Sequence, residues 1–75
     1  MSEIGGRGAL TVVVNGVAED VTEGTTVSGV LDTLGLPSRG VAVALNGAVV
    51  PRSEWRAARL HSGDKVEILT AAQGG

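Results

Sequence analysis

Two Asn-Gly dipeptides, each lying between runs rich in β-branched residues, constrain the fold of this chain more than any other feature. Asn and Gly both tolerate positive φ, which the two central positions of a type I′ β-hairpin require. β-branched side chains on either side favour strands. The sequence therefore predicts two hairpins around the same kind of turn. The flanking runs are residues 10–14 and 17–21 around Asn15-Gly16, and residues 41–45 and 48–51 around Asn46-Gly47.

One amphipathic helix is predicted between the hairpins. Its apolar stripe follows the spacing i, i+3, i+4 and i+7, and consists of Val27, Val30, Leu31 and Leu34. Thr25 or Thr26 is expected to cap the first turn, and Gly35 to end the helix in the left-handed conformation. Pro37 prevents continuation. Gly29 weakens the helix, and we expect it to allow a close approach of the helix to a sheet.

The last third of the chain predicts one irregular segment and one strand. Residues 52–62 are mostly polar, and Trp55 and Leu60 are their expected anchors in the core. Residues 62–64 (SGD) predict a turn, and residues 65–70 (KVEILT) predict the final strand. Strands that flank a single helix indicate an α+β domain. We expect a mixed sheet of four to five strands with one main helix packed on one face.

Alternation along the first and last strands predicts which face the helix covers. The covered face is expected to contain Leu10, Val12, Val14, Val66 and Ile68. Val13 and Leu69 then lie on the open face with Thr11 and Glu67. Because exposed apolar patches often mark interfaces, Val13 and Leu69 are candidates for a surface that docks a partner.

The chain divides into three parts by composition. We expect a flexible leader at residues 1–9, where three glycines occur without an apolar period. The domain is expected at residues 10–70. Residues 71–75 (AAQGG) have no branched side chain and predict a flexible tail.

Composition also excludes several classes of function. The chain has no Cys and one His, so it predicts no disulfide framework, no metal centre and no thiol nucleophile. A net charge of −2 offers no basic field for nucleic acid. The longest run without a charged residue, 40–51, is far shorter than the roughly 20 apolar residues of a membrane span. We expect a cytoplasmic protein without a signal peptide, and not a self-sufficient enzyme.

The residues with the clearest chemical potential are Gly74 and Gly75, which we expect at a free carboxyl end. A terminal carboxylate becomes electrophilic once an acyl-adenylate gives it a good leaving group. Two residues without Cβ would let the tail pass through a narrow channel of an activating enzyme. The other interpretation is a frayed chain end without function.

From Leu10 onward the chain resembles the sulfur carrier of thiamin (thiazole) biosynthesis, the ThiS family of ubiquitin-like β-grasp proteins. The most specific matching segments are NGAVVPRSEW (46–55), Gly63-Asp64 and the closing QGG. Further matches are GTTVSGVLDTLGL (24–36) and HSGDKVEILT (61–70). The resemblance implies a β-grasp sheet whose first and last strands pair in parallel at the centre. The leader lies outside it.

The resemblance also implies a mechanism. A partner related to ubiquitin-activating enzymes, an adenylyltransferase, would adenylate the carboxylate of Gly75 with ATP. A persulfide from a sulfurtransferase or cysteine desulfurase would convert it to a thiocarboxylate, which thiazole synthase uses. Gly75 would carry the sulfur, while Gln73 and Gly74 would thread into the partner. The chain itself would bind no cofactor.

Alternative functions remain open at this level. The same fold and tail occur in the small subunit of molybdopterin synthase, in carriers for cysteine biosynthesis and in ubiquitin-like protein modifiers. The stretch from Asn46 to Trp55 favours the thiazole family among these.

Several other residues allow two interpretations. Arg52 and Arg56, with Arg59, form either a patch that attracts a partner or an ordinary solvated surface. Trp55 either contacts a partner or covers the edge of the core. We expect Asp64 to cap the turn before the last strand. The side chain of His61 is expected on the surface.

Overall fold

A computed structural model describes residues 8–70, which form five strands and one α-helix. The first half comprises β1 (Ala9–Val14), β2 (Val17–Thr22) and α1 (Val27–Thr33). The second half comprises β3 (Val41–Leu45), β4 (Ala48–Val50), a 3₁₀ helix (Arg52–Glu54) and β5 (Lys65–Thr70). The first strand begins one residue before the predicted domain boundary. The predicted tail, and the predicted leader up to residue 7, lie outside the described residues.

The strands form one mixed sheet in the order β2-β1-β5-β3-β4. β1 and β5, the first and last strands, are neighbours and run parallel, while β3 pairs with β5 antiparallel. Both hairpins are antiparallel. The predicted mixed sheet with a central parallel pair is therefore confirmed, with five strands. β5 lies in the middle of the sheet and precedes the residues predicted to carry the chemistry.

Both Asn-Gly turns adopt the predicted conformation. Asn15 and Gly16 have φ of 50° and 84°, and Asn46 and Gly47 have φ of 52° and 88°. Two consecutive positive φ angles are typical of a type I′ turn. The residues on either side of each turn pair directly, as the register of a two-residue hairpin requires.

The helix begins where the sequence predicts, but it ends at Thr33, so Leu34 of the predicted apolar stripe follows the helix and is 38% exposed. The Thr26 hydroxyl accepts a hydrogen bond from the Gly29 N–H at 3.2 Å, and Gly35 follows the helix with φ of 72°. The expected reason for Gly29 is wrong. A Cβ at Gly29 would meet Thr25 Cγ2 at 3.0 Å and Thr26 Oγ1 at 3.7 Å. The close neighbour of this glycine is therefore the segment that leads into the helix, and not the sheet.

The core lies between the helix and one face of the sheet. Its buried residues are Val12, Val14, Val27, Val30, Leu31, Val43, Trp55, Leu60, Val66 and Ile68. The predicted covered face is confirmed except at Leu10, which is only half-buried. A seven-residue helix is about 10 Å long, whereas a six-residue strand spans about 20 Å. The helix is therefore too short to cover β1 along its whole length.

Backbone hydrogen bonds tie the segment after β4 to the start of the helix. The carbonyls of Trp55 and Ala58 accept from the N–H groups of Ser28 and Val27, each at 3.0 Å. N–H groups in the first turn of a helix have no partner within the helix itself. Trp55 and Leu60 anchor the segment in the core, as predicted, with 4% and 2% of their surface exposed.

Candidate functional site at the end of the central strand

The candidate site is the end of β5, from which the chain continues toward Gly75. Leu69 and Thr70 are the last residues of this strand, and both are exposed. Gln73, Gly74 and Gly75, predicted as the threading and attachment residues, lie outside the described residues 8–70. The structure therefore describes the base from which the tail departs.

The side chain of Asn15 holds β5 close to this end. β1 pairs with β5 only at Val13 and Val14, and the chain then turns away at Asn15. The side-chain amide of Asn15 continues the pairing: its Oδ1 accepts from the Ile68 N–H at 2.8 Å, and its Nδ2 donates to the Ile68 carbonyl at 3.1 Å. One side chain thus replaces one residue of a neighbouring strand. The sequence indicated the turn at Asn15 but not this second role.

Asn15→Asp should destabilise the domain by about 1–3 kcal/mol, because it places a carboxylate oxygen against the Ile68 carbonyl where a donor is required. Asn15→Gly is the matched control, since glycine keeps the positive φ and removes both side-chain hydrogen bonds without adding repulsion. We expect the free energy of unfolding, measured by urea denaturation, to be highest for the wild type, lower for Asn15→Gly and lowest for Asn15→Asp. Equal stability of all three proteins would contradict the role assigned to this amide.

The start of β5 is held in a similar way from the opposite side. Asn46 Oδ1 accepts from the Lys65 N–H at 2.9 Å, and its Nδ2 donates to Asp64 Oδ1 at 3.0 Å. Asp64 Oδ2 also accepts from the His61 N–H at 2.7 Å, which confirms the predicted turn cap. The side chain of His61 is 80% exposed, as predicted. The asparagines of both turns therefore hold the central strand.

An apolar depression of about 320 Å³ lies on the open face beside the end of β5. Ala42 and Ala44 contribute small side chains to its lining, while Leu69 and Val49 remain 71% and 76% exposed. Ala42 pairs with Leu69, and Ala44 with Val49, across neighbouring strands. The sequence predicted Leu69 on this face. It did not single out Val49 or the two alanines.

The structure does not bring Val13 and Leu69 together. Val13 is half-buried and lies opposite Lys65 in the parallel pair. Leu69 is four residues further along β5, a distance of about 13 Å at 3.3 Å per residue. Both side chains lie on the open face, but Val13 does not line the apolar depression.

Arg52 and Arg56 occupy different surroundings. Arg52 lines a second depression together with Ala42, Leu69 and Thr70, so its side chain lies next to the end of β5. Arg56 is exposed and lines neither depression. Within residues 8–70 neither arginine forms an ion pair. Of the predicted docking residues, the structure therefore groups Leu69 with Arg52.

The described residues contain no cluster of three or more His, Cys, Asp or Glu side chains that could hold a metal ion. Among the same residues, no helix has the length and apolar character needed to span a membrane.

Comparison with known proteins identifies the family. A family model described as the ThiS family matches residues 11–75, a range that includes both terminal glycines. The chain belongs to the ThiS family. A solved structure of the thiamine biosynthesis protein ThiS from Geobacter metallireducens has 33% sequence identity and a TM-score of 0.74. The match covers 88% of this chain and 100% of that one, which confirms the ubiquitin-like β-grasp fold of this ThiS-family chain.

Curated relatives of this ThiS-family chain are of two kinds. The sulfur carrier protein ThiS of Escherichia coli is 29% identical over 66 residues, which are 88% of this chain and 100% of that protein. The thiazole synthase of Paramagnetospirillum magneticum is 36% identical, also over 66 residues. The chain spans only 20% of the length of that enzyme. A ThiS-like segment therefore also occurs within a much longer thiazole synthase polypeptide.

Proposed function

We propose that this protein is a sulfur carrier of thiamin biosynthesis and that its sulfur is held as a thiocarboxylate on Gly75. The match to the ThiS family through residue 75 is the observation that carries the proposal. The similarity to the whole length of the Escherichia coli sulfur carrier supports it. The protein acts as a carrier in this proposal, and the catalytic groups belong to its partners.

The proposed chemistry takes place on the carboxylate of Gly75. An adenylyltransferase related to ubiquitin-activating enzymes transfers AMP from ATP to this carboxylate, and pyrophosphate leaves. The terminal sulfur of a persulfide, supplied by a sulfurtransferase or cysteine desulfurase, then attacks the acyl carbon and displaces AMP. A thiol reduces the resulting S–S bond and leaves the thiocarboxylate on Gly75. None of these steps needs a catalytic base on this chain.

In this proposal the described domain positions the tail that ends in the Gly75 carboxylate and supplies no catalytic group. β5 is paired on both sides and is held by the side chains of Asn15 and Asn46. The five residues after Thr70 span at most about 17 Å when fully extended. A fixed strand end with a short tail allows the carboxylate to enter a buried site of the partner while the folded body stays outside.

We propose thiazole synthase as the acceptor of the sulfur. The support is the relative in which a ThiS-like segment and a thiazole synthase share one polypeptide. Such a fusion keeps carrier and acceptor at a high effective concentration.

Mass spectrometry tests the carrier function directly. The protein is incubated with the adenylyltransferase of its own organism, ATP and a persulfide source. We expect its intact mass to increase by one oxygen-to-sulfur exchange, and only when ATP is present. The protein that carries the thiocarboxylate should then support thiazole formation by thiazole synthase. Failure to gain sulfur with demonstrably active partners would overturn the proposal, while transfer only to a molybdopterin or cysteine acceptor would overturn the assigned pathway.

Leu69→Asp should weaken binding to the adenylyltransferase by about tenfold or more, because it places a charge in the apolar depression that we propose as the docking surface. Val17→Asp is the matched control: Val17 is also exposed, at 57%, but lies on the opposite face of the sheet. Titration calorimetry measures both affinities, and circular dichroism checks that both variants fold. Equal losses for the two variants would rule out a specific role for the depression.

A further inference from the structure

The edge of β5 that faces β1 carries backbone groups beyond the end of β1. The Val66 carbonyl accepts from the Asn15 N–H at 2.9 Å, and both backbone polar groups of Ile68 bond to the Asn15 side chain. Backbone groups that point to one side of a strand recur every second residue. Thr70 therefore directs its N–H and its carbonyl to the same side as Ile68.

No residue in the described part of the chain bonds to the Thr70 backbone on that side. β1 has already reversed direction at the Asn15-Gly16 turn and continues into β2. On the other side, the Lys65 carbonyl accepts from the Asn46 N–H at 2.7 Å, so the odd-numbered residues of β5 direct their backbone groups toward β3. Thr70 lies opposite Val41 in that ladder without directing its backbone groups to it. With respect to residues 8–70, Thr70 is thus the first open position on the β1 side of this strand.

We propose that an extended segment of the adenylyltransferase pairs with β5 at Thr70 and so extends the sheet into the complex, an inference that rests on the proposed carrier function. The Thr70 N–H donates to a backbone carbonyl of this segment, and the Thr70 carbonyl accepts from one of its N–H groups. The pairing fixes the direction in which the chain leaves the domain toward Gly75.

Two features favour a partner segment of this kind. The open position lies where the chain departs toward the reactive carboxylate, so strand addition here would align the tail with the adenylation site. Arg52 lines a depression with Thr70 and Leu69 and forms no ion pair within residues 8–70. This arginine would attract an acidic side chain of the partner to the same end of β5.

A second copy of this chain fits the same edge less well. One residue offers two backbone hydrogen bonds, and a stable interface buries about 1,200–2,000 Å² in total. The activating enzyme can supply the remaining contact area over the apolar depression and the tail, whereas two copies joined at Thr70 would contact each other only near this edge.

Amide hydrogen exchange measured by NMR on the full chain tests the pairing. We expect the Thr70 amide to exchange rapidly in the free protein and at least about tenfold more slowly in the complex with the adenylyltransferase. The Glu67 amide faces β3 and serves as the control, protected in both states. An unchanged Thr70 exchange rate in the complex would overturn the proposal. Protection that is present without the enzyme and rises with protein concentration would also overturn it, by identifying a second copy as the occupant.

Thr70→Pro removes the backbone N–H that donates in the proposed pairing, and Thr70→Val keeps this N–H while changing the side chain. We expect the proline variant to bind the adenylyltransferase about tenfold more weakly, the effect of one lost hydrogen bond, and the valine variant to bind like wild type. Both should unfold at the wild-type midpoint. Replacing the Thr70 amide by an ester removes the same donor without restricting φ, and serves if the proline variant fails to fold. Wild-type binding by the ester protein would disprove the pairing, whereas a wild-type protein that gains no sulfur would instead disprove the carrier function.

Discussion

A variant that lacks Gly75 should gain no detectable sulfur under conditions in which the wild-type protein is fully converted. Deleting one residue withdraws the terminal carboxylate by about 3.5 Å, and a displacement of even about 1 Å in a reacting group can cost about 100-fold in rate. We therefore expect the conversion rate to fall by at least about 100-fold. Intact-mass spectrometry after timed incubation with the adenylyltransferase, ATP and persulfide measures this rate.

Deletion of Gly75 should not change the stability of the fold. β5 ends at Thr70, and the side-chain hydrogen bonds that hold this strand reach no further than Ile68. We expect the urea midpoint of the variant to equal that of the wild type. A large loss of stability would show that the last residues pack against the domain, and the proposed role of the tail would then fail.

Deletion of residues 1–7 provides the matched control at the other end of the chain. The family match begins at residue 11 and β1 begins at Ala9. This truncation should leave both the midpoint and the conversion rate unchanged. If it abolished sulfur gain as completely as loss of Gly75, the effect could not be assigned to the terminal carboxylate.

Local sequence signals predict the elements of this fold well. Asn15-Gly16 and Asn46-Gly47 specify their turns through φ preferences that belong to the two residues themselves. The helix follows from an apolar period and a threonine cap, which lie within a few residues of each other. The parallel pairing of β1 and β5 does not follow from such signals, and its prediction comes from the resemblance to a known family.

Long-range register explains what the sequence does not reveal. The hydrogen bonds from Asn15 to Ile68 join residues 53 positions apart, so no local pattern indicates them. Alternation places Val13 and Leu69 on one face, but only the register shows that they lie at different levels of the sheet. The apolar depression depends on the same information, because Ala42 and Val49 lie beside Leu69 only through the order in which β5, β3 and β4 pair.

Trp55 shows how burial decides between two interpretations that the sequence leaves open. Its side chain is 4% exposed and belongs to the core. The indole N–H donates to the Val50 carbonyl at 2.8 Å, and the Trp55 carbonyl accepts from the Ser28 N–H at 3.0 Å. The residue thus joins the end of β4 to the start of the helix. A side chain so buried offers a partner almost no surface.

Trp55→Ala should therefore cost about 3–5 kcal/mol of unfolding free energy, the usual loss when a large aromatic side chain is removed from a core. A domain of this length has about 4–11 kcal/mol in total at about 0.05–0.15 kcal/mol per residue. Each kcal/mol lost lowers the melting temperature of so small a domain by about 4–8 °C, so we expect a melting temperature at least about 12 °C below that of the wild type. Urea denaturation followed by circular dichroism measures the loss, since the variant has no tryptophan fluorescence.

Trp55→Phe separates the packing of the aromatic ring from the hydrogen bond of the indole N–H. It also tests the interpretation that Trp55 contacts a partner. Phenylalanine keeps an aromatic ring in the core but leaves the Val50 carbonyl without its donor, so we expect a loss of about 1–2 kcal/mol. Because the buried Trp55 ring offers a partner almost no surface, we expect the folded Phe variant to gain sulfur at the wild-type rate. A folded Phe variant with slowed sulfur gain would contradict the burial argument and would assign Trp55 to the interface with the activating enzyme.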